Sequence, residues 1–270
     1  MRKLVHLSDL HFGRIRQELV EPLLQAVNRT EPHLVVISGD LTQRARKTQF
    51  QQARLFIDRI EAPCLVVPGN HDVPLDNPPV RLLRPWSRYR RWIERDLEPC
   101  FQDEFLSVLG INTVNPLEWQ RGRIGRSAVR RICDTFGTDR NQGRTRVLVV
   151  HHPLEHPPSV RKSLMQGAPN AVRTLAECGA DLVLSGHLHS WRAEPFAALE
   201  RRVNMIQVQV GTSLSTRVRG EDNDFNLLRL EPGRIRVDRF AAGDQSIEFS
   251  PSARAQFCQG QNGWYRCDES

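Results

Sequence analysis

Five short segments of the chain carry the residue types of a hydrolytic metal site. Asp9 and His11 stand in "SDLH", Asp40 in "SGDLT", and Asn70, His71 and Asp72 in "PGNHD". His151 and His152 stand in "VVHHP", and His187 and His189 in "SGHLH". Six of the nine histidines fall in these segments. The donors are carboxylate, imidazole and one amide, without thiolate, a set that suits Mn, Fe, Zn, Ni or Co. They outnumber the needs of one four-coordinate ion. They fit two ions sharing a carboxylate, which lie ~3.5–4 Å apart in hydrolytic sites. Alone, each segment reads as a surface turn or an incidental pair. Five in succession point to one dinuclear centre.

Each segment follows an apolar run of strand length: residues 3–8, 34–38, 64–68, 146–150 and 181–185. These runs are β-branched and nearly continuous, as in strands covered on both faces. Helical patterns at 17–30, 46–61 and 169–179 lie between them, so the alternation predicts α/β architecture with crossover connections. In open α/β sheets ligands bind at the carboxyl edge of the strands. Residues i and i+2 of an extended segment share a side, so Asp9 with His11 and His187 with His189 are expected to present donors in pairs. Gly39, Gly69 and Gly186 precede three of the segments and would let metal and substrate approach the backbone.

After residue 195 the pattern changes. "RVNMIQVQVG", "FNLLRL" and "RIRVDRF" read as strands, with a hairpin at Gly233. They predict a second, largely antiparallel sheet packed on the first within one domain, residues 1–249. Residues 250–270 lack periodicity and are expected to be a loosely ordered tail.

The chain has 270 residues, of which 39% are hydrophobic. No apolar run approaches the ~20 residues of a membrane span, and no secretory leader is visible, so a cytoplasmic protein is expected. Net charge is +7, and all but Lys3, Lys47 and Lys162 of the 38 basic residues are arginine. Genome base composition is the simplest source of that bias, although a basic surface also draws phosphorylated partners. The six cysteines form no CxxC pair and are expected to be free thiols; Cys258 and Cys267 are the one pair close in sequence.

The ordered set DxH, GD, GNHD, H and GHxH, from Asp9 to His189, resembles the calcineurin-like metallophosphoesterase superfamily. The resemblance implies a four-layer α-β-β-α sandwich of two mixed sheets flanked by helices. It implies that Asp9, His11 and His189 hold one metal ion, that Asn70, His151 and His187 hold the other, and that Asp40 bridges them. In "HHP" the pattern alone leaves His151 and His152 open; the family position is two before the proline, which is His151. His71 would not bind metal but would contact the phosphoryl oxygen and protonate the leaving group, with Asp72 orienting its imidazole. The reaction implied is hydrolysis of a phosphoester by a hydroxide shared between the two ions.

"GDLTQRA" lacks the second acid and the glycine of the protein phosphatases, and the lipid A pyrophosphatases carry arginine where His71 stands. The chain looks most like bacterial class III cyclic-nucleotide phosphodiesterases. The expected substrate is a cyclic nucleotide or a related small phosphodiester. Nucleic acid is not favoured and no membrane role is expected. A DNA-processing nuclease is the alternative, and a non-catalytic scaffold is disfavoured because no ligand position is vacant. In residues 81–101, Trp86, Tyr89, Ile93 and Leu97 form an apolar stripe, read as an amphipathic helix packed on the body. The alternative is a cap within 73–106 whose Arg88, Arg91 and Arg95 guide anionic substrate. His6 and His33 read as structural, and His156 as a loop residue.

Overall fold

Side-chain alternation along the first strand decides the layering. In the computed structural model, described for residues 1–139, 143–197, 205–243, 246–261 and 263–267, β1 (Arg2–Leu7) buries Leu4 on one face and Val5 and Leu7 on the other. Parallel to it run β2 (Leu34–Ile37) and then β3 (Cys64–Val66). On its other side, antiparallel strands β10 (Asn223–Glu231), β11 (Arg234–Ala242), β12 (Ser250–Gly260) and β13 (Gly263–Arg266) complete a seven-stranded sheet. The second sheet has the order β4 (Cys100–Gln102), β5 (Leu106–Gly110), β6 (Thr145–Val149), β7 (Leu182–Ser185), β9 (Ile206–Gln209), β8 (Arg192–Pro195). Its four central strands are parallel and its two edges antiparallel.

The inner faces of the two sheets meet through Leu4, Val36, Val147, Leu182, Val208, Leu228 and Phe257. The outer face of the first sheet packs on α1 (Val20–Arg29) and α2 (Lys47–Ile57) through Leu23, Val27, Phe50 and Phe56. The outer face of the second packs on α5 (Arg126–Asp139) and α6 (Ala168–Cys178) through Ile132, Phe136, Val172 and Leu175. Full burial of each such side chain contributes about 1.5–3 kcal/mol. The result is the four-layer α-β-β-α sandwich. No helix among the described residues is long and apolar enough to cross a membrane.

Several sequence expectations are corrected. The five ligand-bearing strands do not share one sheet: β1, β2 and β3 lie in one, β6 and β7 in the other. The C-terminal antiparallel strands extend the first sheet beside β1, while β9 joins the second in parallel with β7. Periodicity reports burial, not pairing partners. Residues 250–266 are not a loose tail, because β12 and β13 form the edge of the first sheet and Trp264 is buried between the sheets. In β12 only alternate side chains are buried, so its apolar signal is thin.

The stripe in 81–101 is not one helix. It divides into α3 (Pro78–Leu83) and α4 (Ser87–Trp92), because Pro85 lacks an N–H and disfavours helical geometry at Arg84. Tyr89 is buried against Phe50, donates its hydroxyl to the Val66 carbonyl at 3.0 Å, and brings Ile93, Trp92 and Leu97 onto the helical layer of the first sheet. Arg88 donates to the Ala45 carbonyl, and Arg91 lies over the Trp92 ring. The apolar side of the segment therefore packs on the body. His6 bonds Ser38 at 2.9 Å in the core, and His33 accepts the Lys3 N–H.

The expectation of six free thiols is also corrected. Cys133–Cys178 joins α5 to α6, and Cys258–Cys267 closes the β12–β13 hairpin. Only Cys64 and Cys100 are free. Cys133 and Cys178 are 45 residues apart, and only the packing of two helices shows them to be neighbours. Thiol titration of the denatured, unreduced protein should count two thiols, rising to six after reduction. Tyr89→Phe should lower stability by about 1–2 kcal/mol, read by urea unfolding, since it strips the buried Val66 carbonyl of its donor.

Candidate metal centre

Four of the five segments leave their strands in a backbone conformation that few side chains adopt or in a tight turn. Among the described residues seven non-glycine residues have positive φ, and five are Asp9 (51°), His11 (53°), Asp40 (53°), His187 (71°) and His189 (57°). Such strain costs of order 1–3 kcal/mol per residue and persists only where surroundings enforce it. Here the enforcement is hydrogen bonding between loops. Asp9 N–H donates to the Gly39 carbonyl, His11 N–H to the Asp40 carbonyl and His187 N–H to the Asp9 carboxylate. The pairing expected of Asp9 with His11 is present, but it arises from left-handed turns and not from extended alternation.

The three glycines serve loop contact more directly than ligand contact. A Cβ at Gly69 would fall 2.2 Å from Asp40 N, and one at Gly186 would fall 2.4 Å from Asp9 Oδ2. Only glycine lets the GNHD turn press on the GD turn, and the GHxH turn on Asp9.

The side chains converge across the two sheets. Asp9 Oδ1 lies 3.5 Å from His11 Nε2 and 3.0 Å from His189 Nε2. Asp40 Oδ2 lies 3.7 Å from His11 Nε2 and 3.4 Å from His151 Nε2. His151 Nε2 is 3.3 Å from Asn70 Oδ1. Asp40 thus stands between two groups of donors, one with Asp9, His11 and His189, the other with Asn70 and His151. His187 closes on the second group, its ring centroid 5.1 Å from that of His151. Asp9, His11 and His151 are fully buried and Asp40 is 1% exposed.

The imidazoles are held from behind. His151 Nδ1 donates to the Ser38 carbonyl at 2.8 Å and His189 Nδ1 to the Arg217 carbonyl at 2.9 Å. Each Nε2 therefore faces the centre, the orientation that metal-binding histidines take from such partners. His152 stands beside the second group: its ring lies 4.6 Å from that of His187 and a ring nitrogen falls within 4.8 Å of those of His151 and His187, while Thr113 bonds its Nδ1 at 2.8 Å.

Charge follows geometry. Burial alone would raise the Asp9 and Asp40 carboxyls, but His189 beside the first and His151 beside the second hold both well below the usual carboxylate range. Burial would lower His151, yet Asp40 outweighs it and raises the imidazole to about 9. His187 and His152 are held well below the ordinary value by burial and by neighbouring cationic groups. Asp9 Oδ1 is buried and makes no hydrogen bond. A carboxylate oxygen at such depth, with the Nε2 atoms of His189 and His11 at 3.0 and 3.5 Å, fits hard or borderline divalent ions.

His71 and Asp72 take places that differ from expectation. His71 Nδ1 donates to the Gln43 carbonyl at 2.9 Å, and its Nε2 faces Arg217 Nη1 at 3.2 Å. Burial holds this imidazole below its ordinary value. Asp72 does not orient it. The Asp72 carboxylate accepts the N–H groups of Leu41, Thr42 and Gly69 and the Thr42 hydroxyl, so it ties the GD turn to the GNHD turn. Gln43 does the orienting assigned to Asp72.

The cleft over the centre is also lined by Gln120, Lys162, Arg217 and Arg219, which sequence reasoning missed. Lys162 donates to the His187 carbonyl at 3.0 Å, and burial with the nearby Arg219 lowers its ammonium to about 8. None of the four follows a strand in the manner of the ligand segments. The one trace in the sequence is that Lys162 is a rare lysine among arginines.

Comparison with known proteins gives the same direction. A sequence model described as calcineurin-like phosphoesterase matches residues 2–191. The chain is 32% identical over 80 residues, 26% of its own length and 29% of the relative's, to glycerophosphodiester phosphodiesterase GpdQ of Enterobacter lignolyticus. It is 26% identical over 213 residues, 73% of its length and 47% of the relative's, to an uncharacterised metallophosphoesterase of Helicobacter pylori. The chain thus spans less than half the length of both curated relatives. Among solved structures it is similar in fold to a dimetal phosphatase of Danio rerio, with TM-score 0.66, 12% identity and coverage of 92% and 99% of the two chains. It is likewise similar to purple acid phosphatase PPD1 of yellow lupin, with TM-score 0.65, 14% identity and coverage of 94% and 53%.

Gly186→Ala should test the loop contacts on which the centre depends. The added methyl must displace Ser8 or Asp9, so stability should fall by about 1–3 kcal/mol through overpacking, read as a lower melting temperature, and bound metal measured by mass spectrometry should drop well below the parent's.

Proposed function

Because the chain belongs to the calcineurin-like phosphoesterase family, we propose that it is a metal-dependent hydrolase of phosphoric esters and, within that class, a phosphodiesterase for small substrates. The observation that carries this reading is the position of Asp40, between two buried groups of metal-type donors. Asp9, His11 and His189 would hold one ion, Asn70, His151 and His187 the other, and Asp40 would bridge. When bound there, two such ions of Mn, Fe, Zn, Ni or Co would supply hydroxide at neutral pH and neutralise phosphate charge.

The chain's own residues would do the rest. The loop hydrogen bonds fix the donors before substrate arrives, so little reorganisation is needed at the transition state. His71 and Arg217 stand side by side at the cleft. They would bind a non-bridging phosphoryl oxygen, and His71 would carry a proton to a poor leaving group. The diester reading is supported by the likeness to the Enterobacter glycerophosphodiester phosphodiesterase and by that of "SGDLTQRA", "GNHD" and "GHLH" to cyclic-nucleotide phosphodiesterases. A cyclic nucleotide or a glycerophosphodiester is the expected natural class.

Purified protein loaded with Mn, Zn or Fe should hydrolyse bis(p-nitrophenyl) phosphate, and Asp40→Ala should lose both bound metal and turnover. Retention of two ions with full turnover in that variant would remove the bridging assignment. His151→Ala should lose metal while His152→Ala keeps it. His71→Ala should keep both ions and lose kcat by about 10²–10⁴-fold for ribose or glycerol leaving groups. The loss should be much smaller for p-nitrophenol, which hardly needs a proton. An equal loss for both classes assigns His71 to phosphate binding alone.

A further inference from the structure

We propose that the cleft takes a phosphodiester carrying a second phosphate close to the scissile one, held by Lys162 and Arg219 while Arg217 serves the scissile phosphate; this rests on the phosphodiesterase reading above. The three cations line the same cleft as Asp40 and His71. They come from opposite lips. Lys162 lies in the loop between β6 and α6, and Arg217 and Arg219 lie in the loop between β9 and β10.

Among the described residues none of the three makes an ion pair with a carboxylate. Lys162 Nζ bonds the His187 carbonyl and lies 3.2 Å from His187 Nε2, and Arg217 Nη1 lies 3.2 Å from His71 Nε2. Arg219 makes no hydrogen bond or ion pair among the described residues. Partly buried arginines on the sheets are paired instead: Arg239 with Asp224 and Glu221, and Arg146 with Asp181. Asp9 and Asp40 are already engaged by histidines.

Three crowded cations without acids repel one another, and an anion between them relieves the repulsion. A simple diester brings one negative charge, which the centre itself consumes. The two lips can match at least one more. Lysine at 162 suits the task where arginine is the chain's habit. Its ammonium is a compact point charge that fits behind His187, whereas a guanidinium needs a planar partner.

Three matched adenosine esters test this on the metal-loaded protein. ApA has one phosphate, AppA has two in direct linkage, and pApA has a second one nucleoside away. At low salt at least one of the two esters with a second phosphate should exceed ApA in kcat/KM by about tenfold, the worth of a charge-assisted contact. The advantage should lie mainly in KM and should shrink at about 0.5 M salt. The better of AppA and pApA places the second phosphate. Arg219→Met and Lys162→Met should each cut the ratio of kcat/KM values, Arg219→Met from an exposed position that carries no fold contact. Parity among hydrolysed esters, or a preference that both variants retain, overturns the second phosphate and leaves the phosphodiesterase reading standing. Failure to hydrolyse bis(p-nitrophenyl) phosphate and all three esters removes both.

Discussion

Two carboxylates, Asp9 and Asp40, must remain ionised in a volume from which water is excluded, and most of the structure around them answers that demand. A buried, unpaired carboxylate would take up a proton. Here it is prevented by three imidazoles drawn from three different loops, with Nε2 atoms 3.0–3.7 Å from the carboxylate oxygens. The imidazoles are aimed in turn by backbone carbonyls, Ser38 for His151 and Arg217 for His189. Both sheets therefore contribute, and the cleft lies where their carboxyl edges meet.

Strain is the cost of bringing so many donors to one place. Left-handed backbone at Asp9, His11, Asp40, His187 and His189 would relax in an isolated loop. It is held by cross-loop hydrogen bonds and by the Asp72 carboxylate, which collects three N–H groups and a hydroxyl from two turns. Burial and the adjacent Asp40 push the Asp72 carboxyl up to about 7. Its role is to lock turns together, and a Cβ at Gly69 or Gly186 would break the same contacts from the other side.

The charge outside the centre has a different logic from the charge within it. Inside, anions and imidazoles compensate one another. On the lips, Lys162, Arg217 and Arg219 make no ion pair with a carboxylate among the described residues, while arginines on the sheets pair with Asp224, Asp238 and Asp181. The overall basic balance of the chain hides this distinction, because it counts paired and unpaired cations alike.

The sequence by itself determined the five ligand-bearing segments, the strands before them and the helices at 17–30, 46–61 and 169–179, because buried strands, amphipathic helices and donor types are local properties. The tertiary structure alone decided which strands share a sheet. It also decided that residues 250–266 close an edge, that Cys133 meets Cys178, and that Gln43 rather than Asp72 aims His71. It alone brought Lys162, Arg217 and Arg219 to the cleft. Each of these depends on partners far apart in the chain. Periodicity records that a side chain is buried or exposed, and is silent about what it is buried against.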